Sequence, residues 1–447
     1  MTEVAELTEA GVTVERTEVS RRKFLALTGA GGATMVAVSA LGNQYAFATP
    51  GNPSQGDVLV VVFNRGGMDG LNVVAPYRMP TYQSLRPTIR VKPPEEFSGS
   101  TDGAGLPLDS GGSVASFPLS GVFGLNPGMT ALHAGPWANG HLAVVHAAGM
   151  PASESATRSH FEAQRNWEAG SARLNITDGF LNRHLSAFSD LSGVSAVGRG
   201  STLQALLRGS VPAFAMSSIA TFGVRGFHDN KKAATALSVM YPDNGDLLSS
   251  VGSQTLSVTS MVSGISDPGP QNGATYGWDG LAQGLRETAR LIRADVGLRA
   301  VVIDDGGWDT HTDMGAPADT NSSFRRRTNE FSNALAAFYT DLGTAMNEVT
   351  VVTLSEFGRT INENSSGGTD HGRGTAMFVM GRNVNGGVYG DFPNTITDGP
   401  EGDLTVANDF RHVVSEVLTK RMPGSDMGQV FPGYTQMTPL GLVNSGS

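Results

Sequence analysis

Val58-Leu59-Val60-Val61-Val62-Phe63 runs without a break into Asn64-Arg65-Gly66-Gly67-Met68-Asp69-Gly70. An unbroken, mostly β-branched apolar run predicts a strand buried on both faces, since a strand with one wet face would alternate. The same arrangement recurs along the chain. Leu142 to Val145 predicts a second strand, followed by a loop of small hydroxyl residues from Pro151 to Thr157. Ala300-Val301-Val302-Ile303 opens into Asp304-Asp305-Gly306-Gly307-Trp308-Asp309-Thr310-His311. Val349 to Leu354 opens into Ser355-Glu356-Phe357-Gly358-Arg359, and Thr375 to Met380 is preceded by Thr369-Asp370-His371-Gly372.

Helical patterns lie between these strands. Ser159 to Glu168 predicts a helix stopped by Gly170. Leu281, Leu285, Ala289, Ile292 and Val296 share one helical face, with Gly297 as the expected stop. Phe331, Leu335, Phe338, Leu342 and Met346 form a second stripe. Strand and helix in alternation imply an α/β fold, a mainly parallel central sheet sandwiched by helices. In such sheets ligands bind beyond the carboxyl ends of the strands.

The first 48 residues have a different character. Ser20-Arg21-Arg22-Lys23-Phe24-Leu25-Ala26 precedes a Gly/Ala/Val-rich stretch, Leu27 to Leu41, and Ala46-Phe47-Ala48 fits a small-x-small cleavage site. That order is the order of a cleaved signal, and the paired arginines match the twin-arginine pattern. Gly29, Gly31, Gly32, Thr28, Thr34 and Ser39 make the stretch too polar for a stable membrane span. The expectation is a twin-arginine signal peptide over 1–48 and a single α/β domain over 49–447. Loop insertions are expected near 92–122, rich in Pro, Gly and Ser, and near 249–276, rich in Ser and Gly. The implied route is through the twin-arginine translocase to periplasm, cell envelope or medium, with no stable membrane span after cleavage.

Composition narrows the partners. The chain has 31 basic and 41 acidic residues; the first 48 hold 4 and 5 of them, leaving 27 against 36. An acidic balance argues against nucleic acid or anionic lipid. There is no cysteine, hence no disulfide framework and no thiolate ligand. No Gly-x-Ser-x-Gly elbow is present, and no Gly-x-Gly-x-x-Gly follows the first strand, which weakens serine-hydrolase and dinucleotide readings.

Asp69, Asp309, His311, Glu356, Asp370 and His371 all fall at or near strand ends. Carboxylates converging there would repel one another, so a divalent metal accounts for them economically. Oxygen and imidazole donors suit zinc, manganese, calcium or magnesium. Taken singly, an Asp in a glycine turn is more often a turn former. Ser159 stands at a helix start, where backbone N–H groups favour an anion, with Arg158 beside it for a phosphate or sulfate oxygen. A plainer account makes Ser159 a cap, completed as a capping box by Glu162.

Several of these stretches together resemble a known family. Val61-Val62-Phe63-Asn64-Arg65-Gly66-Gly67-Met68-Asp69-Gly70-Leu71-Asn72, Arg158-Ser159-His160-Phe161-Glu162-Ala163-Gln164, Gly307-Trp308-Asp309-Thr310-His311, Ser355-Glu356-Phe357-Gly358-Arg359-Thr360 and Gly368-Thr369-Asp370-His371-Gly372 are similar to motifs of the domain of unknown function 1501 family. The similarity runs from about Asp57 to the end of the chain, and many members carry twin-arginine signals. The family looks like a distant branch of the alkaline phosphatase and sulfatase superfamily. The resemblance implies an alkaline-phosphatase-like sandwich, with metal ligands at strand ends and a hydroxyl nucleophile at a helix start. By position it implies Asp69 as the first-strand ligand, Ser159 as the nucleophile, and Asp309 and His311 as the middle pair. It places Glu356 where the superfamily has Asp-His, and lets Asp370-His371 supply the last histidine or match the superfamily's Asp-His-Gly directly. The superfamily's Asp-Ser or Cys-x-Pro-x-Arg nucleophile signature is absent.

The leading expectation is an exported metal-dependent hydrolase of phosphate or sulfate esters, with a small anionic ester as substrate and Arg158 or Arg359 gripping the anion. The alternative is a non-catalytic envelope or binding protein that keeps the fold and a structural metal. A third is a carbohydrate-active enzyme using Glu356 and Asp370.

Overall fold

The computed structural model describes residues 57–108, 121–189, 191, 194–223, 230–240, 247–393, 396 and 402–446. The twin-arginine stretch and the Ala48 cleavage site lie outside them. The described residues form two compact units. In Gly223–Thr259 they comprise helix Asn230–Met240 and the first part of helix Leu247–Ser263. The remaining residues form the α/β unit that carries every candidate site residue.

A nine-stranded sheet organises that unit. Its strands are β1 (Val58–Asn64), β2 (Leu142–Gly149), β3 (Ala196–Arg199), β4 (Phe214–Met216), β5 (Ala300–Asp305), β6 (Val349–Leu354), β7 (Thr375–Met380), β8 (Gly387–Tyr389) and β9 (Asn408–Asp409). The order across the sheet is β8-β2-β7-β6-β1-β5-β3-β4, with β9 also on β2. Every pairing is parallel except the two made by β7, which runs against both β2 and β6. The expected mainly parallel α/β sheet is present, and β1 is buried along its whole length, as its unbroken apolar run requires.

Four helices pack around this sheet: α1 (His160–Ala169), α2 (Gly280–Arg293), α3 (Ser323–Leu342) and α4 (Phe410–Arg421). Alternation along the strands splits the core into two layers. Met377 and Val379 of β7 join Leu59, Val61 and Phe63 of β1 in a cluster with Trp167 of α1 and Val413 and Val417 of α4. Phe378 points the other way and meets Phe331 of α3 at 5.9 Å between ring centres. Helices therefore cover both faces.

Local expectations fared unevenly. Gly170 ends α1 in the left-handed conformation (φ +63°), and an added Cβ there would lie 2.5 Å from Phe431. Gly297 does not end α2: the helix stops at Arg293, and Asp295 takes the left-handed turn at φ +48°. A short polar side chain tolerates that region, so the chain leaves the helix early. The 249–276 stretch is not all loop. Helix Leu247–Ser263 occupies its first half, where Val258 and Val262, one turn apart, are both buried. The described part of 92–122 is short irregular structure with the two-residue strand Leu106–Pro107.

Candidate metal centre

The parallel strands deliver their following loops to one edge of the sheet. Because β7 runs the other way, its leading residues, Asp370 to Gly374, arrive at that same edge. The glycine pair after β1 is explained by crowding there. A Cβ on Gly66 (φ +117°) would lie 2.5 Å from the Asp309 backbone nitrogen, and one on Gly67 (φ +71°) would lie 2.3 Å from the Phe357 ring. Only glycine lets the β1 loop lie flat against both.

Arg359 fastens these loops together. Its buried guanidinium donates to the carbonyls of Gly66, Gly67, Trp308 and Thr369 and to the Asp309 carboxylate, 2.5 Å away. Burial alone would raise the Asp309 pKa, but Arg359, with His311 and His160, more than offsets it and holds the carboxyl below its usual range. Asp309 is therefore an anion at neutral pH.

Three imidazoles meet at that anion. His160 Nε2 and His371 Nε2 are 3.0 Å apart, and His311 Nε2 is 2.9 Å from the same His371 atom. Asp309 oxygens lie 3.1 Å from His311 Nε2, 3.4 Å from His371 Nε2 and 3.6 Å from His160 Nε2. Each ring is fixed from behind through its other nitrogen. His160 Nδ1 is 2.9 Å from Glu356 Oε1, His311 Nδ1 is 3.1 Å from Asp370 Oδ1, and His371 Nδ1 is 2.9 Å from the Arg158 carbonyl.

Those partners settle the tautomers. A carbonyl only accepts, and so do ionised carboxylates. Burial raises the Glu356 pKa, but hydrogen bonds from Gln164, His160 and the Gly66 N–H outweigh it. The same balance, with Asn364 and His311 as donors, lowers that of Asp370. Each Nδ1 thus carries a hydrogen, which in a neutral ring leaves the Nε2 lone pair available to a cation. For His371, burial and then the Arg359 charge depress the pKa and favour this neutral form. Converging lone pairs repel unless a cation sits among them, and imidazoles backed by carboxylate or carbonyl oxygen are the usual surroundings of a protein-bound metal. Ligand atoms of His160, Asp309 and His371 all lie within 4.8 Å of one another, close enough to hold one ion.

The expected residues therefore divide. Asp309, His311 and His371 come together. Glu356 and Asp370, expected as ligands, stand behind His160 and His311 as their acceptors. Asp69 is engaged elsewhere: it is fully buried, accepts from Arg86 Nη1 at 2.7 and 2.9 Å, and caps Asn72. Arg158 spends its side chain on Asp403 at 2.9 Å and its carbonyl on His371. Arg359 spends its donors on the loops. Ser159 precedes α1 with its side chain exposed but makes no capping bond. The Ser159–Glu162 capping box does not form, because Glu162 instead accepts from the Thr157 hydroxyl.

His160 is the candidate ligand that sequence reasoning missed. The signal was its spacing from Gln164: one helical turn apart, the two share a face and both donate to Glu356 Oε1.

A model of the family described as protein of unknown function (DUF1501) matches residues 133–414, more than half of the chain. The chain belongs to that family. The matched segment contains the three histidines and Asp309; the β1 loop with Asp69 precedes it. No curated protein matches this chain. Among solved structures, the chain is similar to the C-terminal periplasmic domain of EcEptC from Escherichia coli in complex with Zn: 11% identity, 76% of this chain and 78% of that one covered, TM-score 0.32. It is also similar to alkaline phosphatase from the Antarctic bacterium TAB5, at 9% identity, 75% and 95% coverage and TM-score 0.29. The lipoteichoic acid synthase LtaP from Listeria monocytogenes follows at 9%, 88% and 76%, with TM-score 0.28. Likenesses of this strength carry no argument about chemistry, so the reading of the site rests on its own geometry.

Proposed function

We propose that this DUF1501 chain is an exported metal-dependent hydrolase of phosphate or sulfate esters. The observation that carries the reading is the convergence of His160 Nε2, His371 Nε2 and the Asp309 carboxylate, ligand atoms that all lie within 4.8 Å of one another. Two imidazoles and one carboxylate suit zinc better than calcium or magnesium, which prefer all-oxygen shells. Such an ion, when bound, supplies Lewis-acid polarisation of an ester oxygen. The chain's own groups do the positioning: Glu356, Asp370 and the Arg158 carbonyl hold the three rings, and Arg359 holds Asp309. Ser159, adjacent to His160 and not engaged as a cap, is the nucleophile in this reading. Export through the twin-arginine translocase rests on Ser20 to Ala26 and Ala46-Phe47-Ala48. No helix among the described residues is long and apolar enough to cross a membrane.

One observation favours a second reading. His311 Nε2 lies 2.9 Å from His371 Nε2 and 3.1 Å from Asp309, beside the three-residue group. Joined to it, His311 would make four protein ligands, typical of closed, structural zinc sites, whereas catalytic sites keep a position open. A non-catalytic binding protein with a structural metal would look like this.

Metal analysis of the purified protein, with a panel of phosphate and sulfate esters, separates the two. The hydrolase reading expects bound metal, ester turnover, and loss of both in Asp309→Ala; Ser159→Ala should keep the metal and lose turnover. Metal without turnover supports the binding protein. Absence of metal after supplementation overturns both.

A further inference from the structure

We infer that a small-oxyanion subsite lies beside the metal centre, with Arg373 as its recognising cation. It adds a ligand determinant to the function proposed above. It rests on that reading only for the purpose the anion serves.

The residues that reach this place follow from the fold. Arg373 is two positions after His371 on the segment leading into β7, and its carbonyl accepts from the Gly358 N–H, 2.9 Å away. That bond pins it against the loop after β6. Its side chain enters a narrow cleft lined by Ser155, Thr157, Asn166, Trp167, Phe357 and Arg373 itself. Phe357 is a wall shared with the metal centre, its ring centre 4.8 Å from those of both His160 and His371. An occupant of the cleft therefore sits next to the imidazoles, across one aromatic ring from them.

The ionic pairing around the cleft is uneven. Two arginines face one carboxylate: Arg158 Nη2 takes Asp403 at 2.9 Å, while Arg373 approaches the same oxygen only through Nε at 3.9 Å. At that distance no hydrogen bond forms, so among the described residues the Arg373 guanidinium has no protein hydrogen-bond acceptor. Its side chain is only 15% exposed. Arg373 lines the cleft, and none of its nitrogens is both sealed from solvent and without a partner. A planar fork of donors, partly desolvated and lacking an acceptor, is the recognition element for carboxylate, phosphate or sulfate oxygens.

Two nearby anions do not block such a ligand. Asp403 is already matched by Arg158. Glu356 also lines the cleft, but its Oε1 accepts from the Gly66 N–H, Gln164 and His160, each at 2.9 Å, which spreads its charge over three donors. The other polar groups of the lining are partnered within the protein, Thr157 Oγ1 with Glu162 and Asn166 Nδ2 with Ser155 Oγ, so recognition falls to Arg373.

Calorimetric titration of the full chain with inorganic phosphate, sulfate and acetate, alongside metal analysis of the same samples, tests the subsite. Wild type should bind phosphate or sulfate. Arg373→Gln should weaken that binding by roughly 10- to 100-fold, the worth of a charged hydrogen bond, with metal content unchanged. Asp403→Asn, which frees Arg373 from its competing carboxylate, should tighten it, and decides the matter if the Arg373→Gln protein does not fold. Tightest binding of acetate would assign the subsite to carboxylates. No anion binding by wild type, equal affinity in Arg373→Gln, or no tightening in Asp403→Asn overturns the inference. Loss of anion binding with metal retained, in a protein that cleaves no ester, would keep the subsite and remove the hydrolase.

Discussion

The rim of the sheet and the layer just beneath it are built from the same residue types, yet they are chemically opposite. At the rim, each imidazole has one nitrogen occupied by a protein oxygen and the other open. Beneath, His146 has both occupied: Nε2 donates to the Val74 carbonyl at 2.7 Å, and Nδ1 accepts from the Ala147 N–H at 2.7 Å. The carboxylates divide the same way. Asp309 is half exposed, whereas Asp69 is sealed against Arg86, with both side chains essentially inaccessible. What marks a ligand is hydrogen-bonding capacity that the fold leaves unspent. Strand-end position alone does not.

The sharpest way to break this contrast is Arg86→Ala. Leaving Asp69 buried without its partner should cost about 3–5 kcal/mol of stability, read as a large fall in melting temperature, with metal content of the folded fraction unchanged. Rescue of that stability by added zinc would return Asp69 to the ligand set.

A pH titration probes the buried layer next. Burial, reinforced by the Arg86 charge, holds the His146 imidazole down at about 4 against hydrogen bonds that favour its charged form. The folded state thus prefers neutral His146. Its contribution is complete above the unfolded value near 6.5 and is lost as pH falls from there toward 4. At the lower end this amounts to roughly 3 kcal/mol. Burial lowers His184 to about 4 as well, so both act in one window. Melting temperatures between pH 7 and 4 should drop in wild type and drop less in His146→Gln; equal slopes would show that His146 is not the proton acceptor.

The smaller effects grade the rim itself. Glu356→Gln should lower metal affinity about 10- to 100-fold, as loss of a ligand's backing acceptor does. Asp370→Asn should do less, a few-fold, because Asp370 is 62% exposed whereas the Glu356 side chain is fully buried. Competition against a metal-binding dye measures both. The reverse ranking would mean that Asp370 is itself a ligand.

The sheet was readable because its strands are buried on both faces. Val58 to Phe63 and Val349 to Leu354 allow no other period, and their observed bounds differ from the expected ones by at most a residue. The site was half readable. Strand-end position put Asp309, His311 and His371 in the right place, but it counts Asp69, Glu356 and Asp370 equally. Separating them requires knowing that Arg86 and the two histidines would claim those carboxylates. Those pairings span 17, 59 and 196 positions, and no local pattern encodes the longer two. His160 was harder to read because Ser159, just before it, accounts for the helix start by itself.

The reversed strand β7 has a consequence for how such a centre can change over time. Since β6 and β7 are antiparallel neighbours, residues 355–374 form one continuous segment that leaves the sheet edge and returns to it. That segment holds the acceptor behind His160, the clasp on Asp309, the His371 ligand and Arg373. Exchange of this single stretch would change His371, the Glu356 backing and the neighbouring charge together while leaving His160, Asp309 and the sheet in place, so the centre can be retuned from one segment.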